Sequence, residues 1–147
     1  MRGERVLQFV DSNFLIYAYD VTAGVKHEQA VALVAGLWES RDGCLSIQVL
    51  QEFYVTITRK VARPLAGDVA AEVVADLAAW RVHAPIVEDV NQAIAIHRRH
   101  AISFWDAMVV RSAAQLGCST LWSEDLNSGQ VYEGVRVKNP FAEPEKG

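Results

Sequence analysis

Apolar residues occur along this chain in two forms, compact runs and longer stretches spaced at helical intervals. Val6 to Val10 is a compact run that fits a buried strand, and it ends at Asp11-Ser12-Asn13. Leu15, Ile16 and Tyr19 then take helical positions, with the Asp-Ser-Asn cluster as a cap. Residues 26–39 repeat apolar groups at Ala30, Val31, Val34, Leu37 and Trp38, which predicts a second helix. Arg41-Asp42-Gly43 is a turn, and Cys44-Leu45-Ser46 a short strand. The next helix runs from Ile47 to about Lys60 with Val49, Leu50, Phe53 and Ile57 on one side, before Arg63-Pro64 breaks the chain.

The second half repeats the scheme. Gly67 or Asp68 starts a helix carrying Val69, Val73, Val74, Leu77 and Trp80. His83 to Val87 reads as a strand, weak or at an edge because Pro85 has no N–H to donate. Glu88-Asp89 cap a helix that ends at His100. From Asp106 the apolar positions Val109, Val110, Ala113, Ala114 and Leu116 predict another helix, stopped by Gly117. Thr120 to Trp122 is a short buried strand, Asn127-Ser128-Gly129 a polar turn, and the last strand lies near Val135 to Val137.

Strands alternating with helices predict an α/β fold: a three-layer sandwich around a parallel sheet of about five strands. With no repeat and no linker, residues 1–147 form one domain whose tail frays from about residue 141. In such folds the ligand site lies beyond the carboxyl ends of the strands, where strand order reverses. Asp11 follows the first strand and Asp125 the fourth. If those strands are neighbours, the two carboxylates flank that point.

Composition narrows the function classes. Hydrophobic residues make up 51% of the 147, which excludes a disordered chain. A formal net charge of −4 argues against gripping nucleic acid by bulk charge, though not against a local basic rim. No run is long enough to span a membrane and no signal-peptide pattern is visible, so a cytoplasmic protein without a membrane partner is expected. Cys44 and Cys118 have neither zinc-ligand spacing nor a disulfide framework and read as buried free thiols. The four tryptophans, Trp38 and Trp80 among them, read as core or subunit contacts rather than base-stacking platforms.

Four carboxylates fall at the predicted ligand edge: Asp11, Glu52, Asp106 and Asp125. Each has an ordinary explanation. Asp11 is placed to cap a helix. Glu52 is by default a solvated helix residue, although it falls about 60° from Val49, at the border of the apolar face. Asp106 fits a capping box with Ser103, and Asp125 an Asx turn. Together they mean more, because two unit charges ~4 Å apart repel by about 4 kcal/mol at an effective dielectric near 20. Such a cluster calls for protonation or for cations. Hard divalent ions such as Mg²⁺ or Mn²⁺ suit oxygen ligands and phosphate chemistry, and two of them about 3.5–4 Å apart can stabilise both the attacking and the leaving oxygen. No serine or cysteine nucleophile constellation supports a covalent route. His97, Arg98, Arg99 and His100 form a basic helix end that matches the helix dipole. The functional alternative is a phosphate-contacting rim shared with Arg59 and Lys60.

Asp11-Ser12-Asn13 with Leu15 to Ala18, Ser46 to Glu52-Phe53-Tyr54, Trp105-Asp106-Ala107, and Gly117-Cys118 with Ser123-Glu124-Asp125-Leu126 follow one another in an order that resembles the PIN-domain ribonucleases, above all the VapC-type toxins of toxin–antitoxin pairs. The likeness runs from Val6 to about Pro140. It implies a catalytic metal site of Asp11, Glu52, Asp106 and Asp125, Mg²⁺ or Mn²⁺ as cofactor, and single-stranded RNA as substrate. It also implies a homodimer and a small antitoxin partner. Asn13 and Ser123 match positions that support the acids by hydrogen bonds. Spacing leaves open whether Glu124 or Asn127 joins the ligands. Two readings remain beside the toxin: a non-catalytic cation-binding interaction module, and a PIN-like nuclease of RNA processing or of DNA.

Overall fold

The computed structural model describes residues 5–141; the tail expected to fray lies almost wholly outside them. Five strands run parallel: β1 (Gln8–Val10), β2 (Gly43–Ser46), β3 (Arg81–His83), β4 (Thr120–Trp122) and, last in the chain, β6 (Val135–Lys138). A two-residue strand, β5 (Val131–Tyr132), pairs antiparallel with β6 at one edge, and the order is β3-β2-β1-β4-β6-β5. β1 therefore lies between β2 and β4, and strand order reverses there, between the first and fourth strands.

The helices are α1 (Ser12–Tyr19), α2 (Val25–Ser40), α3 (Ile47–Arg59), α4 (Gly67–Leu77), α5 (Val87–His100) and α6 (Phe104–Gln115). α1 packs on α2 and α3, and α3 on α4, while α5 packs on α6. Both groups touch β2, as helical layers on either face of a sheet do. Phe9, Val10, Leu45 and Leu121 of the central strands are wholly buried, which is why these strands read as unbroken apolar runs.

Several elements differ from the sequence reading: Trp80, read as part of the helix that starts at Gly67 or Asp68, lies beyond its end at Leu77. The third strand is Arg81–His83 rather than His83 to Val87, in register with Cys44 to Ser46, and it stops before Pro85 removes a donor. The first strand begins at Gln8 rather than Val6. The final strand is one arm of a hairpin whose turn, Glu133-Gly134, has φ of +51° and +82°. That two-residue turn matches the strand twist, and glycine takes its second position without steric cost.

His83 Nδ1 lies 2.8 Å from Ser112 Oγ, and its Nε2 lies 3.3 Å from Asp89 Oδ2. Arg111 Nε donates to the other Asp89 oxygen at 2.9 Å. The backbone N–H of Ile86, then Arg111 and His83, hold the Asp89 carboxyl below the usual range. Serine, histidine and aspartate meet here, but Ser112 is 1% exposed. The group ties the β3–α5 connection to α6 and has no opening for a substrate.

At the opposite end of the strands from the candidate site, Trp80 lies over Gly43, edge-on to Trp38 with ring centroids 5.5 Å apart. A Cβ at Gly43 would stand 2.5 Å from the indole. Gly43→Ala is expected to cost about 1–3 kcal/mol, because neither a central strand nor a rigid ring can yield. An unchanged urea midpoint would show that Trp80 is free to move.

Candidate metal centre

The site begins at the end of β1. Asp11 N donates to Trp122 O at 3.0 Å, so the first residue past β1 is fixed to the end of β4. The Asp11 side chain accepts from Ser12 N at 2.7 Å and from Ser123 Oγ at 3.0 Å. Ser123 Oγ in turn accepts from Asp125 N at 3.2 Å. One serine thus braces Asp11, 112 residues before it, and Asp125, 2 residues after it.

Asp106 enters from the first turn of α6. Ser103 Oγ accepts from the Asp106 backbone N–H at 3.0 Å. That is the half of a capping box that depends on Ser103 alone. Among the described residues the reciprocal bond, from Ser103 N to the Asp106 carboxylate, is not made, and the carboxylate turns to the acids instead. Asp11, Asp106 and Asp125 each place an oxygen within 4.8 Å of the other two.

Glu52 stands just outside that group. Ser12 Oγ donates to one of its oxygens at 3.0 Å and Gln48 Nε2 to the other at 2.9 Å. Its charge still bears on Asp11 and Asp125. Burial, then the charges of Asp125 and Glu52, push Asp11 up to about 7 against hydrogen bonds from Ser12 and Ser123. Burial, then Asp106, Glu124 and Glu52, push Asp125 up as well. Among the described residues no lysine or arginine pairs with any of the four acids. A close set of hard oxygen donors, two of them pushed toward the protonated form and none paired with a cationic side chain, fits a divalent ion.

The neighbours of the acids sort themselves. The Glu124 carboxylate accepts from Tyr17 Oη and, at 2.8 Å, from Lys26 Nζ, so it faces α1 and α2. Asn127 Nδ2 donates to Gln130 within its own loop. Neither belongs to the three-carboxylate group. Ser123 sits where a supporting residue is needed, whereas the described residues give Asn13 no hydrogen bond to an acid. Ser12 makes the contact instead. Reading the sequence missed Ser12 and Gln48, although Gln48 lies four residues before Glu52, the spacing at which helical side chains meet. Arg59 and Lys60 stand about two turns, ~10–12 Å, beyond Glu52 on α3. Arg99 pairs with Glu133, while Arg98 is exposed. None of these cations reaches the acids.

Residues 9–133 match the sequence profile of the PIN domain. No curated protein matches at a significant level. Among solved structures, VapC20 of Mycobacterium tuberculosis, a sarcin–ricin-loop-cleaving toxin, superposes with a TM-score of 0.58 at 23% identity, over 78% of this chain and 86% of that one. VapBC2 of Rickettsia felis, bound to a DNA fragment from its promoter, gives 0.62 at 11% identity over 91% and 98%. DNA-bound VapBC of Salmonella typhimurium gives 0.59 at 16% identity over 91% and 98%. At these identities the likeness is one of fold. No helix of the described residues is long and apolar enough to cross a membrane.

Proposed function

The chain belongs to the PIN domain family, and from that premise we propose that it is a divalent-metal-dependent endoribonuclease that cuts single-stranded RNA, the toxin of a toxin–antitoxin pair. One observation carries the reading: Asp11, Asp106 and Asp125, from three separate segments, place oxygens within 4.8 Å of one another. Repulsion at such distances is tolerated where a cation offsets it. Asp11, Asp106 and Asp125 would hold Mg²⁺ or Mn²⁺, with Glu52 at the margin. When bound, such an ion supplies Lewis-acid stabilisation of charge on phosphate oxygens and lowers the pKa of water.

The chain's own residues do the rest. Ser123 fixes Asp11 and the Asp125 loop in one orientation, which keeps the acids from splaying apart. Ser12 and Gln48 hold Glu52 from both sides while it stays open to solvent. Outside the three-acid group and open to solvent, Glu52 would be the carboxylate left to accept a proton from water.

RNA as substrate is supported by the M. tuberculosis neighbour, a sarcin–ricin-loop-cleaving toxin. An antitoxin partner is supported by the VapBC and toxin–antitoxin complexes among the neighbours. A second copy, and an antitoxin segment, both need apolar surface. Ile47, Tyr54 and Val55 expose it along the groove between α3 and α4, about 530 Å³ in volume. The place of action on this reading is the cytoplasm, where the RNA is.

Cleavage of a labelled single-stranded RNA by the purified protein tests the proposal. With Mn²⁺ or Mg²⁺ the strand is cut; with excess EDTA it is not. Undiminished cutting in EDTA would sink the mechanism.

A further inference from the structure

Trp105 stands apart from the other tryptophans. Trp80 is packed in the core, Trp38 lies against it, and Trp122 donates its N–H to Gln8 Oε1 at 2.8 Å. Trp105 is 65% exposed, and no aromatic side chain among the described residues is more so. Its one ring contact among the described residues is T-shaped, with Phe104 at 5.2 Å between centroids. A large indole left in water forgoes the burial that normally fixes it.

Its backbone, by contrast, is held. Trp105 is the second residue of α6, in the turn that the Ser103 cap starts. Gln48 Nε2 donates to its carbonyl at 3.3 Å and to Glu52 at 2.9 Å, so one amide joins the ring's base to an acid of the site. Asp106 is the next residue, with its Cα ~3.8 Å away. The exposed ring therefore springs from a backbone position one residue from an acid of the site and one amide away from another.

From this juxtaposition we infer that Trp105 is a stacking platform for an unpaired nucleobase next to the phosphate that the acidic site holds. The inference rests on the nuclease reading and adds what the substrate must present there: a base out of its pair. It also answers a question of charge. The protein carries a net −4, and among the described residues no cationic side chain pairs with the acids. With no lysine or arginine paired at the acids themselves, a further source of affinity for a polyanion is of use there. Stacking on an aromatic face supplies it, tolerates sequence, and is far less sensitive to salt than phosphate contacts.

Two measurements test the platform. The first is tryptophan emission with calcium as the ion, on adding a twelve-residue oligoadenylate or the same strand as a duplex. The single strand is expected to quench the parent protein, the duplex is not, and Trp105→Phe removes that quench. The second is cleavage with Mn²⁺ of an intact strand and of one lacking the base beside the cut. Trp105→Ala is expected to lower kcat/KM on the intact strand by about tenfold to a hundredfold, mainly through KM, while Trp105→Phe keeps most of the activity. On the abasic strand parent and Trp105→Ala should nearly coincide. Equal losses on both strands, or an undiminished quench in Trp105→Phe, overturn the inference. So does a change of oligomeric state in Trp105→Ala with base dependence intact, which would make the ring a contact between copies. A parent protein that is quenched by the strand yet never cuts it would remove the nuclease reading and leave the platform standing.

Discussion

Asp106→Asn is expected to yield a folded protein that no longer cuts RNA and barely responds to Mn²⁺. The cap of α6 survives, because Ser103 Oγ accepts from the backbone of residue 106, whatever its side chain. The metal-free protein is no less stable, since the change removes one of the charges that push Asp125 up. The loss appears on adding metal. An ion at a hundredfold excess over its dissociation constant stabilises a protein by about 2.7 kcal/mol. For a chain of this size that is roughly 5–10 °C in Tm. The parent should show this rise and the variant little of it. Cleavage should fall by more than the tenfold to hundredfold that changes around a metal's ligands typically cost. Thermal melts with and without Mn²⁺, beside one cleavage assay, decide it. Full activity in the variant would mean that Asp106 is a helix-start residue and nothing more.

Asp11 governs the second large effect, which concerns pH. Its carboxyl is pushed from 3.8 to about 7 in the folded protein. Below about pH 4 both folded and unfolded chains carry the proton, and stability is at its full value. Between about pH 4 and 7 the unfolded chain releases the proton while the folded one keeps it. Metal-free stability therefore falls as pH rises, at up to ~1.4 kcal/mol per pH unit. The whole loss is on the order of 4 kcal/mol for a 4% exposed carboxyl moved this far. Above about pH 7 the loss is complete and constant. Asp11→Asn has no proton to lose. In EDTA it should match the parent near pH 5 more closely than near pH 8, where it should be the more stable by a few kcal/mol. Mn²⁺ has to displace that proton, so the parent's apparent metal affinity should drop about tenfold for each pH unit below 7. Urea titrations in EDTA at pH 5 and 8 read the stability difference. A parent whose stability climbs across that range while the variant's does the same would show that Asp11 is ionised in the metal-free fold.

Much of this molecule is written in its periodicity. The strand–helix alternation, the cap at Ser103, the stop at Gly117 with φ of +79°, and the position of Asp11 at the end of a buried strand all follow from local patterns. These are short-range matters of burial, capping and steric freedom, and adjacent residues suffice to express them. The hairpin at Glu133-Gly134 was missed because its outer strand is two residues long, too short for any period to register.

The rest is decided by non-local geometry. Sequence order places four acids near one sheet edge, but only the placement of β1 beside β4 brings Asp11 and Asp125 together. Glu52 lies on the rim because Ser12 and Gln48 hold it there, and Glu124 is drawn away by Tyr17 and Lys26, which no spacing rule foresees. The raised Asp11 carboxyl is likewise a product of assembly, since burial and the charges from α3 and the β4 loop exist only in the folded chain. Trp105 shows the same division. In the sequence it is grouped with the other tryptophans as a core or subunit contact, and only the packing of α6 leaves its ring in water, one residue from Asp106. Periodicity tells which side of an element is apolar. Which polar atoms then meet across elements depends on strand order and helix crossing, and those are set by the whole core at once.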